Sequence, residues 1–237
     1  MNKNERHEMD GLELLATLSH ELRNPLNAIL GWATVLTRRG DLPEPVTQAL
    51  QAIERNSRLQ ARMISDVLDY AALSTGHLRL AIEKIDPYPV VRAAVEGIAA
   101  TARDAGVAVE AAFDAESLRI QADAARLQQI IGNLLSNAVK FSSRGGVVRV
   151  AAQRSGDRFR LAVSDQGKGI DSEFLPRIFE RFGRQGAAAP RSHGGLGLGL
   201  AVVKQLAELH SATVRAESAG QGLGATFTLE FPLCVAA

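Results

Sequence analysis

The stretch Leu15-Ala16-Thr17-Leu18-Ser19-His20-Glu21-Leu22-Arg23-Asn24-Pro25-Leu26-Asn27-Ala28-Ile29 decides the first half of the fold. Leu15, Leu22, Ile29 and Leu36 recur every seven positions, with Leu18, Pro25 and Trp32 between them. That spacing predicts an apolar seam on a helix running from about Glu5 to Arg39. Gly40-Asp41-Leu42-Pro43-Glu44-Pro45 breaks it with one glycine and two prolines. A second periodic run, Val46 to about Ser74, carries Leu50, Ile53, Ile64, Val67 and Ala71. The pair reads as a helical hairpin with half-covered apolar faces. A symmetric second copy completing a four-helix bundle covers them, so a homodimer through the hairpin is expected.

With those leucines on the seam, Glu13, His20, Asn27 and Thr34 share a stripe about opposite it, and His20 is expected to meet solvent. A lone histidine is usually incidental, but the neighbours of this one favour chemistry. Glu21 can take or orient the imidazole proton and leave the other ring nitrogen as a nucleophile. Asn24 is one turn on. Pro25 removes the hydrogen bond to the Glu21 carbonyl, so a kink is expected just beyond the histidine.

After Gly76 the pattern changes to short strand-like runs alternating with helices. Strands are expected at His77–Ile82, Val107–Phe113, Leu118–Gln121, Val147–Gln153, Phe159–Ser164, Thr213–Glu217 and Ala225–Phe231. Helices are expected at Pro87–Ala105, Ala122–Phe141 with Asp123 as cap, and about Gly197–His210. The whole chain is therefore of the α+β class: a hairpin over 1–75, then an α/β domain over 76–237 whose mixed sheet has helices on one face. Ser74-Thr75-Gly76-His77 is short and contains glycine, as a hinge would. Gly183 to Gly199, rich in Gly, Ala, Ser and Pro, reads as a mobile loop.

Asn133, Asn137 and Lys140 recur at helical spacing on one face of the Ala122–Phe141 helix, with Leu127, Ile131, Leu134 and Leu135 on most of the other. An ordinary solvated face explains this equally well. Amide oxygens can also ligand Mg²⁺ beside phosphate and water, and an ammonium can neutralise phosphate. Asp165-Gln166-Gly167-Lys168-Gly169-Ile170 follows a strand and offers a carboxylate for an adenine amine, with glycines where a turn approaches a ligand. Gly194-Gly195-Leu196-Gly197-Leu198-Gly199-Leu200 opens a helix, a common phosphate-binding arrangement. The strand, helix and acid order of a dinucleotide fingerprint is missing, and so is a G-x-x-x-x-G-K-[ST] loop.

Ser19-His20-Glu21-Leu22-Arg23-Asn24-Pro25 resembles the phospho-acceptor motif of histidine kinases. The later order of polar helix, D-x-G-x-G turn, aromatic segment Phe179 to Phe182 and glycine-rich helix start resembles the ATP-binding domain shared by DNA gyrase, heat-shock chaperones, histidine kinases and mismatch-repair ATPases. In detail it is similar to the histidine kinase branch, from about Leu12 to Phe231. The resemblance implies phosphorylation of His20, with Glu21 as base and Asn24 positioning water for dephosphorylation of a partner. It also implies that Asn137 ligands Mg²⁺, that Asn133 and Lys140 contact the phosphates of ATP, and that Asp165, Gly167 and Gly169 hold adenine. Gly195, Leu196, Gly197, Leu198 and Gly199 would line the phosphate side, with Phe179 and Phe182 in the aromatic segment and Arg184 reaching the γ-phosphate. Hydrolysing relatives carry a glutamate at the position of Asn133, and an amide cannot accept a proton from water. Transfer to His20, and from it to an aspartate on a response-regulator receiver domain, is the implied reaction. An ATPase of the gyrase kind and a dimeric scaffold that only senses ATP are the rival readings.

A formal net charge of +1 spread along the chain gives no footprint for nucleic acid or anionic membrane. The single cysteine, Cys234, cannot form an internal disulfide and reads as a small apolar filler in a reducing compartment. No apolar run approaches the roughly 18 to 20 residues that span a bilayer. The start MNKNERHEMDG lacks a signal-peptide core, so a cytoplasmic location is expected. No sensor domain is legible ahead of the hairpin, and the signal is expected from an upstream domain or a partner.

Overall fold

The computed structural model describes residues 24–38, 41–74, 78–114, 118–183 and 196–234. They fall into two units: a helical one of the described residues up to Leu78 together with 196–198, and an α/β one of 79–183 and 199–234. Among the described residues no helix is long and apolar enough to cross a membrane.

In the helical unit α1 is described over 24–37 and α2 spans Glu44–Ser74. Pro43 starts α2 by accepting from the Val46 and Thr47 N–H groups at 2.9 and 3.0 Å. Pro45 lies in the first turn, where a missing N–H costs nothing. Within one chain the buried residues of α1 are Leu26 and Ala33, while Ile29 is 49 % and Trp32 69 % exposed. Thr34, expected on the solvent stripe, donates from Oγ1 to Glu54 Oε1 of α2 at 3.1 Å. The line covered by α2 is therefore displaced from the expected seam, because the apolar arc of α1 is wider than one neighbouring helix can cover. Leu15, Leu18, His20, Glu21 and Leu22 lie outside the described residues, as do the course of the helix ahead of Pro25 and the hinge residues 75–77.

In the α/β unit the order is β1 (Glu83–Ile85), α3 (Pro87–Ala105), β2 (Ala108–Phe113), β3 (Ile120–Ala122), α4 (Ala124–Phe141), β4 (Val147–Ser155), β5 (Arg158–Asp165), α5 (Gly199–Leu209), β6 (Thr213–Glu217) and β7 (Ala225–Pro232). Five strands make one mixed sheet, β2-β4-β5-β7-β6, with β2 and β4 parallel and the other pairs antiparallel. On β5 the buried Phe159, Leu161 and Val163 alternate with the half-buried Arg158, Arg160, Ala162 and Ser164, so one sheet face makes the core. Leu127, Ile130, Ile131, Leu134 and Leu135 of α4 are fully buried in that core, as are Val202, Val203 and Leu206 of α5. At about 1.5–3 kcal/mol per large aliphatic side chain, this face of α4 is the main anchor of the site-bearing helix. Tyr88 of α3 meets Phe159 and Phe113 edge-on, at 5.9 and 6.3 Å between ring centres.

The expected strand at His77–Ile82 is not one: residues 78–82 belong to no strand, and the strand starts at Glu83. Register explains the shift. Ile85 pairs with Ile120 and Glu83 with Ala122, so the two-stranded ladder ends where β3 runs into the cap of α4. The segment before it is held instead by a hydrogen bond from the Ala81 N–H to Asp123 Oδ2, at 3.0 Å.

Candidate functional site

Helix α4 positions most of the polar candidates. Its cap is Asp123, whose Oδ1 accepts from the Ala125 and Arg126 N–H groups at 3.0 and 3.1 Å. Burial pushes the Asp123 carboxyl up, but the N–H donors of Arg126, Ala81 and Ala125 and the Arg126 charge outweigh it and hold the group below its ordinary value. The cap is tied in turn to α5. The Asp123 N–H donates to His210 Nε2 at 3.1 Å, and His210 Nδ1 donates to the Leu206 carbonyl at 2.7 Å. That pairing requires the neutral Nδ1–H tautomer, and Phe231 packs edge-on against the ring at 5.7 Å.

Asn133, Asn137 and Lys140 are half-buried, with the leucine-rich face of α4 fixing their direction. Asn133 Nδ2 lies 3.5 Å from the Gly199 carbonyl, a long hydrogen bond that joins α4 to the first residue of α5. At its other end α4 meets the 165–170 turn: the Lys168 N–H donates to the Phe141 carbonyl at 3.2 Å. Asn133, Asn137, Lys140 and the Asp165 turn are thus linked through one helix.

Asp165 is the last residue of β5, and its Oδ1 accepts from the Gly167 N–H at 2.8 Å. Burial holds its carboxyl above the ordinary value, against the N–H groups of Gly167 and Ala225, which pull it down. A desolvated carboxylate with remaining acceptor capacity suits a neutral N–H donor such as an exocyclic amine. The glycines of this turn answer to the protein's own backbone, where the sequence suggested a close ligand. A β-carbon at Gly167 would collide with the Phe141 carbonyl, and one at Gly169, where φ is +68°, with the Gly220 carbonyl.

Phe179 packs edge-on against Phe227 of β7 at 6.3 Å, a core contact. Phe182 is 64 % exposed, with φ at +56°. Among the glycine-rich residues, 196–199 are described, with Gly197 at φ +73° and Gly199 opening α5. Arg184 and Gly195 lie outside the described residues, as does most of the loop expected at Gly183–Gly199.

Sequence reasoning passed over the loop 218–224. Ser218 Oγ accepts from the Ile170 N–H at 3.0 Å and donates to the Gly224 carbonyl at 2.6 Å. The Gly222 N–H donates to the Lys168 carbonyl at 2.7 Å, so this loop straps the Asp165 turn. Three glycines within Gly220-Gln221-Gly222-Leu223-Gly224 were the available signal. It also passed over Phe141, whose ring carries Lys168 Nζ at 4.2 Å and Lys140 Nζ at 4.9 Å from its centre.

The residues fit a magnesium nucleotide. Asn137 supplies a neutral amide oxygen one turn from the Lys140 ammonium, which suits a Mg²⁺ held mostly by water and phosphate. Asp165 offers a half-buried acceptor of the kind an exocyclic amine would need.

Residues 12–76 match the His Kinase A (phospho-acceptor) domain. Residues 122–235 match the histidine kinase-, DNA gyrase B- and HSP90-like ATPase family. The chain is 36 % identical to the circadian input-output histidine kinase CikA of Synechococcus elongatus, over 93 % of this chain and 30 % of that protein. It is 33 % identical to hybrid signal transduction histidine kinase D of Dictyostelium discoideum, over 93 % of this chain and 17 % of that one. A crystal structure of full-length ShkA in complex with AMPPNP matches with a TM-score of 0.72 and 33 % identity, over 95 % of this chain and 46 % of that one. The chain spans 17 % to 56 % of the length of the curated relatives it matches. With a phospho-acceptor segment followed by the ATPase fold, in the order its own motifs announce, the chain belongs to the histidine kinases as a sensor kinase catalytic core.

Proposed function

We propose that this chain is an ATP-dependent protein-histidine autokinase of a two-component system, with residues 1–75 as dimerisation and phosphotransfer hairpin and 76–237 as catalytic domain. The observation that carries the reading is the polar face of α4, joined through Phe141 to the Asp165 turn, in a chain that also holds His20 in a phospho-acceptor motif. Asp165 binds the adenine amine, Lys140 and Asn133 bind phosphate, and Asn137 is the protein ligand of Mg²⁺. Gly167 and Gly169 shape the adenine side, and Gly195 to Gly199, with Leu196 and Leu198, line the phosphate side with Arg184. When bound, Mg²⁺ supplies charge neutralisation on the phosphate oxygens.

A neutral His20 imidazole offers one ring nitrogen to the γ-phosphorus. As the N–P bond forms, the P–O bond to the leaving ADP breaks, and Glu21 takes the proton from the other ring nitrogen. Asn133 cannot act as a base toward water, which favours transfer over hydrolysis. The phosphoryl group then passes to an aspartate of a response-regulator receiver, and Asn24 orients water when the same protein dephosphorylates that partner. A sensor upstream, or a sensing partner, biases the hairpin. The homodimer is supported by the uncovered apolar side chains of α1 and α2, Ile29, Trp32, Val35, Val46, Ile53 and Val67.

Incubation with γ-labelled Mg·ATP tests this directly. Acid-labile, base-stable label on the protein, absent in His20→Gln while nucleotide binding persists, is the expected result. Free phosphate without protein label would indicate an ATPase, and binding alone a scaffold.

A further inference from the structure

Lys168 stands between Gly167 and Gly169, and its backbone is held from both sides. Its N–H donates to the Phe141 carbonyl at 3.2 Å, and its carbonyl accepts from Gly222 at 2.7 Å. The side chain therefore starts from a fixed point. It is laid over the Phe141 ring, with Nζ 4.2 Å from the ring centre, and the Nζ of Lys140 lies 4.9 Å from the same centre. Both ammonium groups are thus brought to one ring, close enough for the phosphates of a single ligand to reach the pair. Partial loss of water lowers the Lys168 pKa, and among the described residues no carboxylate offsets it. The residue nonetheless remains open to solvent, so a ligand can reach it.

We propose that Lys168 is a second cationic residue of the nucleotide site, which binds the phosphates of ATP together with Lys140. This rests on the kinase reading above and adds a residue to it. A charge-assisted hydrogen bond from Lys168 to phosphate would rest on a side chain already held in place by the aromatic ring, so little side-chain entropy is lost on binding. The same geometry accommodates a lysine that merely shields Phe141, and ligands of graded charge separate the two.

The affinities of the full chain for Mg·ATP, Mg·ADP and adenosine are to be measured by calorimetry, in the wild type, Lys168→Met and Lys168→Arg. Methionine keeps the apolar stem on the ring and removes the charge. Lys168→Met is expected to weaken ATP and ADP roughly tenfold and to leave adenosine unchanged, while Lys168→Arg keeps most of the ATP affinity. Lys168→Gln gives the same comparison should the methionine variant fold poorly, as judged by thermal unfolding. Unchanged ATP affinity, or an equal loss for ATP and adenosine, overturns the proposal and leaves the kinase reading intact. A wild-type chain that binds none of the three overturns both.

Discussion

At the scale of single residues, Asp165 is held at a cost to stability, at the position where the proposed function has it bind adenine. Its carboxyl is held above the ordinary carboxylate value because burial costs the ionised form more than the Gly167 and Ala225 N–H groups return. The folded state therefore binds this proton more tightly than the unfolded chain, and the group's contribution to stability falls as pH rises from about 3.8 through the folded pKa. Asp165→Asn keeps a carbonyl oxygen for the two N–H donors and removes the charge. It is expected to lose nucleotide binding, while its stability without nucleotide at pH 7 equals or exceeds the wild type in urea unfolding. That advantage should shrink toward pH 4, and an advantage that grew in acid would contradict the desolvation account. Gly169→Ala meets a positive φ and the Gly220 carbonyl together and is expected to cost more than about 2 kcal/mol in the same measurement. A tight turn at Asp165 that needs its two glycines was legible in the motif. The reason for the glycines was not, because the carbonyls they approach come from Phe141 and Gly220, far apart in the chain.

At the scale of elements, α4 depends on a cap that reaches three ways. Asp123 was legible as a cap from its place before an amphipathic run, but its bonds to Ala81 and His210 were not. The His210 partner is 87 positions away, and only the packing of α5 beside α4 brings it near. Asp123→Ala should destabilise the α/β unit by about 1–2 kcal/mol, as measured by thermal or urea unfolding. Because its folded pKa is depressed, the wild-type contribution is present above about 3.8 and is lost as pH falls through the folded value. Asp123→Asn should lack that acid dependence. His210→Leu leaves the Asp123 N–H without its acceptor and is expected to cost about 1–3 kcal/mol. The displaced β1 has the same origin as the unforeseen cap contacts. Alternation marks a stretch able to be a strand, but the partner's length decides which residues pair, and β3 is only three residues long.

At the scale of the whole molecule, the hairpin leaves Trp32 and Ile29 uncovered while burying Leu26 and Ala33. If a second copy covers that face, Trp32→Glu should raise the dimer dissociation constant at least tenfold in sedimentation equilibrium, since burying one such side chain is worth about 1.5–3 kcal/mol. Adenosine binding by the α/β unit should stay unchanged. A dimer of undiminished stability would place the interface elsewhere. What the sequence determined by itself was everything carried by local period and local chemistry: the bounds of α3, the course of α2 and α4 but for their first two residues, the Asp123 cap, a mixed sheet and the order of motifs that marks a histidine kinase. Tertiary structure alone decided which side of α1 meets α2, what the turn glycines approach, and that Lys140 and Lys168 share the Phe141 ring. Periodicity states that a face is apolar or polar, whereas the identity of its neighbour depends on how separate elements pack, and no spacing along the chain encodes that distance.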